Sequence, residues 1–501
     1  MLRPYYQFHT RPKRVPSGPI VYCHSMSTPI MPADRWGERL IRRLGLWSAV
    51  AVLVGSTIGS GIFRTPASVA QRIDDVPLFL LAWVLGAVVV LCGALTYSEL
   101  AAAFPRSGGV YVFVRESFGP LPAFLFAWAE MWIIRPGAFG AIGITASAYT
   151  LRTLGADPAA VSAVIGPIDI RAEQLLGAGL ILLVGTVNYF GIHRGAVLQN
   201  LSTVFKVGAL ALLVVVGFAL GTPTEALPGG GAGGGGGGGI FAQRAHVGLS
   251  PFLLAMVAIL WAYDGWADLA FVGGEVKQPQ KTLPRALLIG TSIVVVLYLA
   301  ANLVYLYLIP IQQMKQAELV AADVARLSIG SAGVVVVSAA IAVSTFGTLN
   351  GSMMTAPRIF FAAAEDRLFP AAIARVDPRT HAPTGAIVLM TVMGMIFILV
   401  RTFTALADQF IIGIWPFYAL AVAGVFVLRR TRPRLERPYK TLGYPLVPLV
   451  FLAGALLLLG NYLVSETRAF AIDIGIILTG IPAYLLWQRS QRVRPPITAA
   501  P

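Results

Sequence analysis

The residues best able to do chemistry sit in two short stretches of otherwise apolar sequence. The first, Gly55-Ser56-Thr57-Ile58-Gly59-Ser60-Gly61-Ile62-Phe63, puts three glycines and three hydroxyl residues into nine positions. These are poor helix formers. The second, Trp261-Ala262-Tyr263-Asp264-Gly265-Trp266-Ala267-Asp268, sets an Asp-Gly pair in mid-run, a helix breaker. Small residues can instead serve close helix packing. Two such segments at corresponding places in two halves of a chain point further, to interrupted helices. Interruption frees backbone N–H and C=O groups that lipid cannot satisfy unless they line a cavity. A half-helix that starts after a break offers N–H ends suited to a carboxylate. One that stops before a break offers carbonyls suited to an ammonium group. A ligand carrying both groups a few ångströms apart is an α-amino acid.

Charges in apolar runs are costly and mark function by default. Lys206 lies deep in one run, too deep to read simply as a snorkelling side chain. Asp264 admits two readings: a cap for the resumed half-helix, or a pocket carboxylate favouring polar or cationic side chains. Glu130 and Arg135 are five residues apart, a spacing that separates them on an α-helix. The expectation is that each pairs with another helix, Arg135 structurally. Glu275, with Lys277, Lys281 and Arg285, falls at the mouth of a run. With Arg106 and Arg115 it is a candidate gate, or else an ordinary charged loop. Asn350 is placed to bond across the bundle.

The elements that hold these residues follow from composition. Of 501 residues, 56% are hydrophobic and 12% charged, and the mean hydropathy is +0.74. A soluble chain carries about twice that share of charge. The numbers exclude a soluble enzyme, a disordered chain and a nucleic-acid-binding module, and point to a lipid bilayer as the main solvent. Twelve apolar stretches are expected to be helices, near 45–70, 77–103, 120–150, 174–192, 197–221, 248–275, 285–309, 330–356, 384–400, 409–428, 443–464 and 469–487. They are continuous, not alternating, and too long for barrel strands.

With the N terminus placed in the cytoplasm, 27 of the 38 Lys and Arg residues fall inside and 8 outside. That asymmetry predicts both termini cytoplasmic and accounts for the net charge of +15 without nucleic acid. The run at 229–239 reads as a flexible tether. Cys23 lies in a polar tail and Cys92 in an apolar run, so no disulfide framework is expected. The histidines (His9, His24, His193, His246 and His381) fall in tail or loops. No metal, nucleophile or Walker constellation appears, so neither an enzyme, a bound cofactor nor an ATP-driven pump is expected. A channel would want symmetric pore-lining rings.

At these residues the sequence resembles the amino acid–polyamine–organocation superfamily, and within it the L-type amino acid transporters. The motifs are GSTIGSGIF (55–63), YSELAAAFPRSGGVYVF (97–113), WAEMWIIRP (128–136), LWAYDGWADLAFVGGEVKQPQKTLPRA (260–286), FGTLNGSMMTAPRIFF (346–361) and LERPYK (435–440). The resemblance implies an all-α multi-pass membrane protein: a leucine-transporter-type fold of two inverted five-helix repeats plus two helices. The repeats would span 45–221 and 248–428, joined by an outward loop at 222–247. A basic inner loop and helices eleven and twelve would occupy 429–487, with cytoplasmic tails at 1–44 and 488–501.

The resemblance also implies amino-acid transport, commonly exchange. The carboxylate segment falls on Ser56, Thr57, Ile58, Gly59, Ser60 and Gly61. The amino-group carbonyls and capping aromatic fall on Trp261, Ala262, Tyr263, Asp264 and Gly265. Lys206, beside Ser344 and Thr345, would stand where sodium-coupled relatives hold sodium, implying sodium independence and leaving proton exchange open. Animal members bind a glycoprotein through a cysteine in the loop near 151–173. This chain has none there, so no disulfide-linked partner is expected. Neutral or polar L-amino acids are the expected substrates.

Overall fold

The computed structural model describes residues 42–493 apart from 166–167, 191, 222–246, 318, 371, 374–376 and 378–381. The glycine run at 229–239 and Cys23 lie outside the described residues.

Helices dominate because a chain in hydrocarbon must satisfy its backbone internally. The first apolar stretch is two helices, α1 (Leu46–Thr57) and α2 (Gly61–Arg72), bent by 40° at the break. Next come α3 (Val76–Ala103), the short α4 (Val110–Phe118) and α5 (Pro120–Ala129). A π-turn, Glu130–Ile134, joins α5 to α6 (Arg135–Thr153). The following connection, expected as a plain loop, carries a hairpin of β1 (Val161–Ile165) and β2 (Ile168–Arg171) in antiparallel register. Then follow α7 (Ala172–Tyr189) and α8 (Ile192–Leu220).

The second half opens with α9 (Leu249–Tyr263), a break, the single-turn α10 (Asp268–Phe271) and a 3-10 turn at Gly273–Glu275. It continues with α11 (Pro279–Leu308), α12 (Ile311–Met314), α13 (Val320–Thr355), α14 (Pro357–Glu365), α15 (Thr384–Val400) and α16 (Phe403–Thr431). The chain ends with α17 (Leu446–Ser465), α18 (Thr467–Leu478) and α19 (Gly480–Val493).

All twelve apolar stretches fall on helices. Among the described residues, length and composition alone support 8 membrane crossings, or 9 counting the bent pair. The chain is a multi-pass membrane protein. Its outer faces are apolar: Leu201, Val204, Leu212 and Val215 on α8, and Leu449, Leu456, Leu457 and Val464 on α17, are all exposed. In water such patches would drive association; against acyl chains they are solvated. Polar and aromatic groups turn inward, so Trp83, Trp266, Trp415, Tyr97 and Tyr418 are buried.

α1 lies against α8, α11 and α13, while α9 lies against α2 and α3. The two breaks are thereby brought face to face. At one end, the strand entering α1 is tied to the chain beyond the second break. Arg43 and Leu44 N–H donate to the Glu275 carbonyl (2.8 and 3.0 Å), and Lys277 N–H donates to Leu44 O (2.8 Å).

Candidate substrate-binding site

The first break is closed at its carbonyl end and open at its N–H end. α1 stops at Thr57 because Ile58 leaves the helical region (φ −72°, ψ 90°). A helix end leaves its last carbonyls unpaired, and three are claimed by other helices. Gly55 O accepts from Lys206 Nζ at 2.7 Å. Thr57 O accepts from Tyr298 Oη at 2.8 Å. Ile58 O accepts from Thr348 Oγ1 at 2.8 Å. Past the break, the first-turn N–H groups of α2, from Gly61 onward, have no intrahelical acceptor. They sit at the positive end of a helix.

The second break crosses the first. Asp264 is extended (φ −66°, ψ 158°), and Gly265 has φ +109°, a conformation that suits glycine. Space imposes glycine too, since a Cβ there would lie 2.7 Å from Ser56 C and 2.8 Å from Thr57 N. Asp264 N–H donates to Trp261 O at 3.2 Å. Its Oδ1 accepts from Tyr418 Oη on α16 at 3.0 Å.

Between the breaks lies a cavity of about 30 Å³, room for little more than a water molecule. Its walls include Ser56, Thr57, Gly59, Ser60, Gly61, Trp261, Asp264 and Gly265. Trp261 is buried, edge-on to Phe410 (5.2 Å) and Phe403 (6.4 Å). Three of the expected residues stand back from the cavity. Ile58 is buried outside its lining. Ala262 backs onto Gly61. The Tyr263 ring turns away toward Trp83 (5.7 Å) and Tyr298 (5.3 Å).

Lys206 is fully buried, and its ammonium also donates to Thr348 Oγ1 at 2.7 Å. The hydroxyl it meets is one turn beyond those expected. Thr345 Oγ1 bonds its own helix at Ile341 O (2.8 Å), and Ser344 Oγ makes no bond among the described residues. Asn350 does bond across the bundle, accepting from Asn188 Nδ2 at 2.9 Å.

Sequence reasoning missed the charged wall. Arg135 and Asp268 line the cavity, as do Thr348, Ser352 and Phe410. Arg135 Nε donates to Glu130 Oε2 at 2.8 Å, and Nη2 to Asp268 Oδ1 at 3.2 Å. Asp268 Oδ2 accepts from Thr355 Oγ1 at 3.2 Å. Separate faces for Glu130 and Arg135 hold only in an α-helix. Here the π-turn bonds i to i+5, with Arg135 N–H on Glu130 O, and realigns them. The available signal was Pro136, which has no N–H and loosens the α register just after Arg135.

The candidate gate residues separate. Glu275 Oε1 accepts from Arg358 Nε at 3.0 Å. Arg115 pairs with Glu116 (2.5 Å) and with Asp366. Arg106 makes no ion pair among the described residues; its carbonyl lies against Gly273.

The amino acid permease family profile matches residues 44–485. The chain is 31% identical to the serine/threonine exchanger SteT of Bacillus subtilis over 449 residues, 89% of this chain and 96% of that protein. It is 30% identical to the human b(0,+)-type amino acid transporter 1, covering 92% and 91%. It is 30% identical to the human cystine/glutamate transporter, covering 92% and 89%.

The chain belongs to the amino acid permease family. The permease is thus a transporter, not an enzyme, and an L-type relative within the larger superfamily. The start of α2 and the end of α9 in this permease face one another across the cavity.

Proposed function

We propose that this permease is a sodium-independent secondary transporter of neutral or polar L-amino acids, working as an exchanger by alternating access. One observation carries the sodium reading: the Lys206 ammonium stands 2.7 Å from both Gly55 O and Thr348 Oγ1. It fills, with a fixed positive charge, the place between α1 and α13 where broken-helix carbonyls would otherwise hold a cation. The substrate carboxylate meets the α2 N–H groups and the ammonium meets the α9 carbonyls, with Trp261 capping. The cavity is far smaller than an amino acid, so loading requires the half-helices to part. Segments 45–221 and 248–428 act as the two repeats whose relative rocking does this. Both termini lie in the cytoplasm of a cell-membrane protein that works without a disulfide-linked partner. Glu275–Arg358 and Arg115–Asp366 hold the cytoplasmic end closed.

A second reading is transport of cationic amino acids or polyamines, proton-coupled or facilitated. It is favoured by the cavity wall, which carries Asp264 and Asp268 beside Arg135.

Proteoliposomes loaded with one amino acid and supplied outside with labelled candidates separate the readings. The first predicts counterflow of neutral amino acids without sodium. Strict dependence on sodium overturns it. Uptake confined to lysine, arginine or putrescine selects the second, and Asp264→Asn then lowers that uptake selectively.

A further inference from the structure

A second, larger cavity of about 340 Å³ lies beyond the capping aromatics, lined among others by Arg64, Gln71, Arg171, Glu173, Lys315 and Phe403. Two links place it next to the central site. Arg64 is three residues past Gly61, roughly 4.5 Å along α2, and Phe403 is the ring that meets Trp261 at 6.4 Å. The Arg64 guanidinium lies 4.7 Å over the Phe403 ring. That contact holds the fork in place and leaves Nη1 buried without a hydrogen-bond partner among the described residues. A buried guanidinium N–H with no acceptor calls for an anion, and a planar fork fits a carboxylate. The charge balance agrees. The lining holds three cations and one carboxylate, Glu173; of the cations Lys315 is already bridged to Asp74 at 3.2 Å.

We propose that this vestibule is a second binding site, in which Arg64 takes the carboxylate of an amino acid before it reaches the α2 N–H groups. The inference rests on the transport reading above for its ligand and adds a site outside the central one. Hand-over is short: the carboxylate moves one helical turn from Arg64 to the helix end, while Trp261 and Phe403 swing aside.

The test places Thr404→Cys, on the exposed wall of the same cavity, in the full-length chain with Cys23 changed to Ser, in phosphatidylcholine vesicles. Cys92 is buried. Labelling is timed with a methanethiosulfonate carrying a sulfonate and with one carrying a trimethylammonium. The sulfonate reagent is expected to react about tenfold faster, Arg64→Gln to bring the two rates together, and Arg64→Lys to keep most of the difference. Because Arg64 reads the carboxylate and not the side chain, L-serine serves as probe. It should slow the sulfonate reaction, serinamide should not, and the slowing should persist when Gly265→Val blocks the central site. Equal rates in the parent overturn the proposal, as does an unchanged ratio in Arg64→Gln. Protection by inorganic phosphate equal to that by serine makes the cavity a general anion trap. Loss of the preference on adding phosphatidylglycerol assigns Arg64 to a lipid headgroup. Either result also overturns it. If counterflow fails while the reagent preference and serine protection hold, the transport reading falls and the vestibule stands.

Discussion

Lys206 and Arg135 are both fully buried, and they are neutralised in different ways. Lys206 meets dipoles, a carbonyl and a hydroxyl; Arg135 meets two carboxylates. Removing one member of a buried ionic group costs about 3–5 kcal/mol, because the partners keep their charge without a cation. Arg135→Met is therefore expected to lower the melting temperature in detergent sharply. Adding Glu130→Gln and Asp268→Asn should recover much of the loss, and simple additivity of the losses would contradict the network. Lys206→Met removes the cation from Gly55 O and leaves that carbonyl only the longer contact with Thr348 Oγ1 (3.3 Å), and should cut counterflow at least about tenfold, a loss of roughly 1.4 kcal/mol, in protein that still elutes as a folded species. At this scale the sequence was informative wherever a residue type alone signals its role. A lysine deep in an apolar run demands a partner. It was silent on which partner, since Thr348, Ser344 and Thr345 differ only by the turn of α13 that faces α8.

The two breaks are the elements on which the site depends, and they were legible because they are made of residues that helices avoid. Gly265 illustrates the constraint: its positive φ and its contact with Ser56 leave no space for a side chain. Gly265→Val should abolish amino-acid binding at the central site while the bundle still assembles, measured as loss of counterflow with unchanged helical circular dichroism. Retained transport would mean the breaks do not need to cross closely. The π-turn at Glu130–Ile134 shows what was not legible. Residue spacing maps onto helix faces only when the period is known: Arg135 does reach another helix, at Asp268, as expected, but one added residue per turn also brings it onto Glu130. The partners of the candidate gate residues were hidden for a related reason. Charge clusters can be counted in a sequence, but Arg358 and Asp366 reach Glu275 and Arg115 only through the way α14 docks at that end.

The molecule as a whole is apolar outside and packs a largely apolar core with a few buried polar groups, and many of its ionic ties gather at the end where α1 begins. There Arg429 binds Glu99 (2.6 Å), and Glu116 joins Arg115 to Arg432 (2.7 Å). Burial pushes the Glu116 carboxyl up, but hydrogen bonds from Arg115 and Arg432 outweigh it and hold the group below its ordinary value. A carboxyl whose folded value is depressed contributes stability above its unfolded value and loses it as pH falls through the folded one. The parent should therefore melt above Glu116→Gln at neutral pH. The gap should close as pH drops through and below the usual carboxylate range; a gap that widens with acid would contradict the assignment.

The central claim is that two crossing helix breaks grip the charged ends of an amino acid. Competition in the counterflow assay tests it most directly, with the best transported amino acid set against its amide and its N-acetyl derivative. The claim predicts that the parent competes and that losing either the carboxylate or the ammonium abolishes competition. Equal competition by the amide or the N-acetyl form would contradict it.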